Sequence, residues 1–250
     1  MNASSRRVAL VTGSATGVGR ACAIRFAKLG FDVVVNYSRS ETDAHETVRL
    51  VESAGARALL VQADVGSEAD VVKMFTALRA EMGRLDVLVN NAATTNFIAH
   101  SDLDSMTDDK WDRILAVNLK GPFLCVKHGA SLLRDGDGGA VVNISSVAGI
   151  AGLGSCIAYC ASKAGLNTMT KSLARVMAPK VRVNAVCPGP IDSRWIREGN
   201  KDWDLEKMTA DYPIPRPSQP DDIADAVIFF ATGTSMVTGQ LMVIDGGRTM

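Results

Sequence analysis

The stretch Val8-Ala9-Leu10-Val11-Thr12-Gly13-Ser14-Ala15-Thr16-Gly17-Val18-Gly19 decides the fold. Its first four residues are apolar without alternation, as a strand covered on both faces requires. Three glycines then fall within seven residues, spaced G-x3-G-x-G, and a helical pattern begins. Glycines in a strand-to-helix turn let the backbone approach a pyrophosphate, whose charge then sits at the helix N-terminus. Other tight turns carry such glycines too, so the stretch takes its meaning from its surroundings.

Outward from it, six more apolar β-branched runs follow, at 33–35, 58–61, 87–89, 141–144, 181–186 and 241–244, with helix-length segments between them. One such segment has Val71, Met74, Phe75, Leu78 and Met82 at helical spacing, Ser67 or Gly66 to cap it, and Gly83 beyond its end. Seven strands with interleaved helices predict an α/β fold, a doubly wound (Rossmann) parallel sheet with helices on both faces, in one domain over 1–250. Only 190–220 breaks the rhythm. It is charged, holds five prolines with Trp195, Trp203 and Tyr212, and reads as a lid before a last helix starting near Asp221. The tryptophans either line the pocket beneath or pack the lid.

Composition narrows the function. With 47% apolar and 22% charged residues, the 250-residue chain is not disordered. Lys plus Arg equals Asp plus Glu at 27 each, so no basic excess exists to grip nucleic acid or an anionic membrane. The charge-free stretch 138–162 holds Asn143, four serines and five glycines, and suits a buried strand and a site-lining loop rather than a membrane span. The apolar run after Arg6-Arg7 is too short for a signal peptide, so the expected location is cytoplasmic. The cysteines, at 22, 125, 156, 160 and 187, form no CxxC pair. Cys156 and Cys160 lack a neighbouring His or acid, so reduced, buried thiols are expected and no metal.

Strand two ends in Asn36-Tyr37-Ser38-Arg39-Ser40, with no carboxylate before Glu41 to accept from a ribose 2′-hydroxyl. Arg39 either pairs with a 2′-phosphate or is a solvated loop arginine; the missing carboxylate points to NADP(H). Further on stands Tyr159-x3-Lys163, with Ser146 thirteen residues earlier. From three tyrosines, ten lysines and eighteen serines, chance yields this trio only about 0.01 times per chain.

With these residues the chain resembles the single-domain short-chain dehydrogenase/reductases, most closely the 3-oxoacyl-(acyl-carrier-protein) reductases. The resemblance spans nearly the whole chain. It includes the glycine motif, Asp64-Val65, Asn90-Asn91-Ala92-Ala93, Asn118, the Ser146/Tyr159/Lys163 set, Pro188-Gly189-Pro190-Ile191 and Asp245-Gly246-Gly247. Two positions depart from the family pattern. Ala93 replaces a usual glycine, and Thr16 stands where many NADP-using relatives have Arg or Lys, leaving the 2′-phosphate largely to Arg39.

The resemblance implies site roles. Gly13, Ser14, Thr16 and Val18 of the glycine loop, with Asp64 and Val65, would take the pyrophosphate and adenine, and Asn91-Ala92 would pass the adenosine ribose. Pro188, Gly189 and Ile191 would pack under the nicotinamide. Tyr159 would be the proton donor, Ser146 would hydrogen-bond the substrate oxygen, and Asn118 would hold a water toward Lys163. Lys163 would hold the nicotinamide ribose and stabilise the phenolate; lowering that pKa by ~2–3 corresponds to ~3–4 kcal/mol. A homotetramer through helices near 109–133 and 157–177 is also implied.

Three functions stay open. The first is NADPH-dependent reduction of a carrier-linked ketone. Asp135 and Asp137 beside Arg134, just before strand five, argue against an acidic carrier, although Lys180 and Arg182 could help. The second is a dehydrogenase of a small free ketone, sugar or polyol. The third is a catalytically silent NADP-binding module, which need not keep Asn118, Ser146, Tyr159 and Lys163 together.

Overall fold

Each apolar run is a strand in the computed structural model, which describes residues 6–135, 137–201 and 203–250. The strands are β1 (Val8–Val11), β2 (Asp32–Tyr37), β3 (Ala58–Gln62), β4 (Val87–Asn90), β5 (Gly139–Ile144), β6 (Val181–Pro188) and β7 (Leu241–Ile244). They form one parallel sheet in the order β3-β2-β1-β4-β5-β6-β7. The order reverses between β1 and β4, and the crevice outside the strand C-termini at such a point is where this architecture binds ligands.

Burial on both faces explains the unbroken apolar runs. Along β1, Ala9 and Val11 join one core cluster while Val8 and Leu10 join the other, the period of two that a strand dictates. The first cluster includes residues of α1 (Gly17–Lys28), α2 (Glu41–Ser53) and α10 (Pro220–Ile228). The second includes residues of α3 (Glu68–Glu81), α5 (Gly121–Arg134) and α7 (Ile157–Met177). Ser67 caps α3 as expected, its hydroxyl accepting from Asp70 N at 3.4 Å. The first helix after β4, α4 (Asp108–Leu115), runs through a π turn at Ala116–Lys120 into α5. A four-residue helix, α6 (Ala148–Ala151), follows β5.

The lid of 190–220 has structure of its own: two short helices, α8 (Arg194–Gly199) and α9 (Leu205–Thr209). Its two ends are pinned together. Asp192 N donates to Ser218 O at 2.8 Å, and Ser218 N donates to Pro190 O at 2.9 Å. Among the described residues no helix is long and apolar enough to cross a membrane.

Candidate active site

A cleft of about 960 Å³ opens along the C-terminal edge of the sheet, from the end of β2 past the β1/β4 switch to the lid. At its outer end the glycine turn is held rigidly. Gly13 has φ +61°, and a Cβ there would lie 2.8 Å from the Ala92 Cα, so the turns after β1 and β4 touch through a residue that must lack a side chain. Gly19 is equally constrained, since its Cβ would meet the Gly13 carbonyl at 2.5 Å.

Side chains from the ends of β1, β2 and β4 and from α1 brace this turn. The Asn36 carboxamide accepts from Gly13 N (3.1 Å) and donates to Ala63 O (3.0 Å). Thr12 Oγ1 accepts from Asn91 N (3.0 Å) and Ala92 N (3.1 Å), while Asn91 Nδ2 returns bonds to Thr12 O and Gly13 O, both at 2.9 Å. Arg20 donates to Ala15 O (2.6 Å) and Asp43 O (2.9 Å). The Thr16 side chain does not cap α1, so the first amides of that helix are not blocked by it. That is the fit a pyrophosphate needs: close backbone approach, free helix donors and no intruding Cβ.

Of the residues expected at the cofactor, Gly13, Thr16, Val18, Arg39, Asp64, Val65, Asn91, Ala92, Pro188, Gly189 and Ile191 line the cleft. Ser14 does not. It is fully buried, its hydroxyl accepting from Asn36 N at 3.1 Å, so it ties β1 to β2 instead of facing a ligand. Asp64 reaches the wall already engaged, accepting from Arg113 at 2.7 Å and from Gly66 N at 2.9 Å.

The inner end holds the residues expected to carry the chemistry. Cys156 is the extended N-cap of α7, and its Sγ accepts from Tyr159 N at 3.4 Å, so this buried thiol starts the helix bearing Tyr159 and, one turn on, Lys163. Helix α7 is keyed to the sheet by a buried chain. Asn90 Nδ2 donates to Asn143 Oδ1 (2.9 Å), Asn143 Nδ2 to Thr170 Oγ1 (2.9 Å), and Ser145 Oγ to Asn167 Oδ1 (2.6 Å). Ser146, Tyr159 and Lys163 all face the cleft. Asn118 sits behind the wall, in the π turn. Its amide donates to Thr94 O (2.9 Å) and Ser162 Oγ (3.1 Å), and its Oδ1 accepts from Thr94 N (2.8 Å). This side chain acts as a brace that positions α7.

Removal from water pushes the Tyr159 phenol above its ordinary value, partly opposed by the nearby Ser146 hydroxyl. Burial pulls Lys163 the other way, down to about 8. The net shift of the phenol is thus upward, not the lowering expected from Lys163. The ammonium donates to Ile144 O at 2.8 Å and lies 5.6 Å from the tyrosine ring centroid, so desolvation dominates at Tyr159.

The lid contributes the apolar wall. Trp195 meets Tyr159 edge-on at 6.2 Å between centroids, and Trp203 meets Phe97 at 5.3 Å; both tryptophans line the cleft. The charges before β5 and β6, by contrast, are at the wrong end. Arg134, Asp135, Asp137, Lys180 and Arg182 cluster at the strand N-termini, about 20 Å along a six-residue strand from the cleft. Arg182 moreover donates to Phe230 O and Ala231 O. They neither favour nor oppose a carrier at the cleft of their own chain. All five cysteines are free and buried.

A family model described as enoyl-(acyl carrier protein) reductase matches residues 13–249. A Streptomyces violaceoruber protein, provisionally assigned as ketoacyl reductase 2 of the granaticin polyketide synthase, is 40% identical over 96% of this chain and 95% of its own. The 3-oxoacyl-(acyl-carrier-protein) reductase of a Synechocystis strain is 36% identical over 100% of both chains. Among solved structures, acetoin dehydrogenase from Salmonella typhimurium superposes with a TM-score of 0.86 at 34% identity, covering 97% of this chain and 95% of its own.

Proposed function

Because the chain belongs to the short-chain dehydrogenase/reductase family, we propose that it is an NADP(H)-dependent oxidoreductase interconverting a ketone and a secondary alcohol, most like a 3-oxoacyl-(acyl-carrier-protein) reductase. The observation that carries this reading is that Ser146, Tyr159 and buried Lys163 line the inner end of one cleft whose outer end is a glycine turn. Two hydroxyls lining the same end of the cleft suit a carbonyl oxygen, and so favour ketone over enoyl reduction.

The dinucleotide, when bound, supplies the hydride to the substrate carbon. The glycine turn and the N-terminus of α1 hold its pyrophosphate, and Pro188, Gly189 and Ile191 back the nicotinamide. Tyr159 Oη delivers the proton to the substrate oxygen while Ser146 Oγ donates to the same atom. A phenol is protonated at neutral pH and so has the proton that reduction requires. Lys163, already donating to Ile144 O, has ammonium protons left for a ribose hydroxyl.

Arg39 is exposed at the end of β2, lines the cleft, and makes no hydrogen bond or ion pair among the described residues, which supports the 2′-phosphate reading. Arg39→Ala should raise the KM for NADPH by about 10-fold or more and leave NADH nearly unchanged, measured with a panel of ketones. Equal effects on both cofactors would refute NADP preference. A small free ketone remains the second substrate reading, supported by the likeness to acetoin dehydrogenase. The assembly reading is a cytoplasmic homotetramer through α4–α5 and α7, supported by exposed Phe123 and Val176 on those helices. Light scattering that finds a monomer at micromolar concentration excludes it.

A further inference from the structure

The cations lining the cleft differ in what already holds them. Arg113 is paired with Asp64 at 2.7 Å, and Arg194 lies between Asp43 (2.8 Å) and Glu198 (3.9 Å). Two arginines are left whose side chains make no hydrogen bond or ion pair among the described residues, Arg39 and Arg248. Arg39 follows β2 and Arg248 follows β7, five strand positions apart in the sheet order, about 24 Å at the usual strand spacing. The two cannot serve one phosphate.

Arg248 is also set in a built turn. The buried Asp245 carboxylate accepts from Gly247 N (2.9 Å), Thr249 N (2.9 Å) and Thr249 Oγ1 (2.8 Å), so the nearest carboxylate on its own turn is spent on the backbone. Gly247, at φ +87°, packs so closely on the lid that a Cβ would lie 2.8 Å from Pro213. The guanidinium stands 5.9 Å from the ring centroid of Tyr212, also in the lid. The turn thus leaves the exposed Arg248 guanidinium without a carboxylate partner among the described residues, on the lining of the same cleft as Phe97, Trp195 and Trp203.

We propose that Arg248 is a specificity-determining residue that binds an anionic group, a phosphate or a carboxylate, carried by the ketone substrate several bonds from the reacting carbonyl. The aromatic wall takes the apolar link between the two. This rests on the ketone-reductase reading above. It assigns the cleft two anion sites, one for the cofactor at Arg39 and one for the substrate at Arg248.

The test uses two matched pairs of ketones with NADPH. One pair is 3-oxobutanoyl-coenzyme A and its uncharged N-acetylcysteamine thioester; the other is 6-oxoheptanoate and its methyl ester. In at least one pair the wild-type enzyme should show a KM about tenfold lower for the anionic member, the scale of one charge-assisted hydrogen bond. Arg248→Ala should erase that advantage, Arg248→Lys should restore part of it, and kcat, NADPH affinity and the neutral member should stay within about twofold. The pair that responds identifies phosphate or carboxylate. An Arg248→Ala enzyme that keeps the advantage, or that loses neutral and anionic members alike, overturns the inference while the reductase reading stands. A wild-type protein that reduces none of the four overturns that reading, and the inference with it.

Discussion

The inner wall of the cleft and the lid above it are held by different forces. Behind the wall, Asn90, Asn143, Thr170, Ser145, Asn167 and Asn118 form side-chain bonds between buried atoms. The lid is stitched at the surface: Arg197 to Asp192 (2.5 Å) and Glu206 (2.8 Å), Arg216 to Asp222 (2.7 Å), Arg194 to Asp43 (2.8 Å). A buried hydrogen bond contributes roughly 1 kcal/mol net, but leaving its partner unsatisfied costs ~1–3 kcal/mol. A surface ion pair contributes about 0–1 kcal/mol and weakens with salt. The groups of the inner wall therefore have one stable arrangement, while the lid can change at little cost to the fold.

The comparison breaks or holds first at the wall. Tyr159→Phe keeps the ring packed against Trp195 and removes the hydroxyl, so kcat should fall by ~10²–10⁴-fold while NADPH binding stays intact. Wild-type turnover from this variant would end the proposed mechanism. Lys163→Met should differ in kind, losing activity and weakening NADPH binding as well. It also has a pH signature. The folded chain holds Lys163 near 8, below its ordinary 10.5, so the unfolded chain binds more protons between those values and wild-type stability rises with pH across that window. Below pH 8 the buried ammonium costs the native state about 3 kcal/mol. The melting temperature of Lys163→Met relative to wild type should therefore be highest below pH 8 and decline toward pH 10. A difference that is flat in pH would mean Lys163 is not desolvated.

Sequence legibility follows the same division. The seven runs were readable because parallel strands buried on both faces leave no polar interruption. The extensions of β4 and β6 were not, since Asn90 and Pro188 are polar or imino residues placed where strands become a site. Ser146, Tyr159 and Lys163 were visible as spacing along the chain. Ser14 looked like a ligand contact from its place in the glycine motif, but its backbone position buries it against Asn36. Charges before β5 looked close to the site because they are close to Ser146 in sequence, yet a strand carries the chain the full depth of the sheet between them. Helices α8 and α9, at six and five residues, are too short for periodicity to register. Arg248, 85 residues beyond Lys163, reaches the cleft only through the strand order.

The smallest expected effect sharpens the contrast from the lid side. Arg194 reaches from α8 to Asp43 on α2, fastening the lid to the half of the fold that carries the glycine turn. Both side chains are substantially exposed, at 49% and 31%. Arg194→Ala leaves Asp43 the more distant Arg20, at 3.7 Å, as a partner, so no buried charge is stranded. The loss should then be ~0.3–1 kcal/mol, a rise of about two- to fivefold in ketone KM with kcat unchanged. Because the pair is screened, the wild-type KM for an uncharged ketone should climb toward that of the variant as salt is raised from about 0.05 to 0.5 M, whereas the variant should stay nearly flat. A hundredfold loss of kcat in Arg194→Ala would mean that the lid helps hold the reacting groups, and the division between fixed wall and adjustable lid would fail.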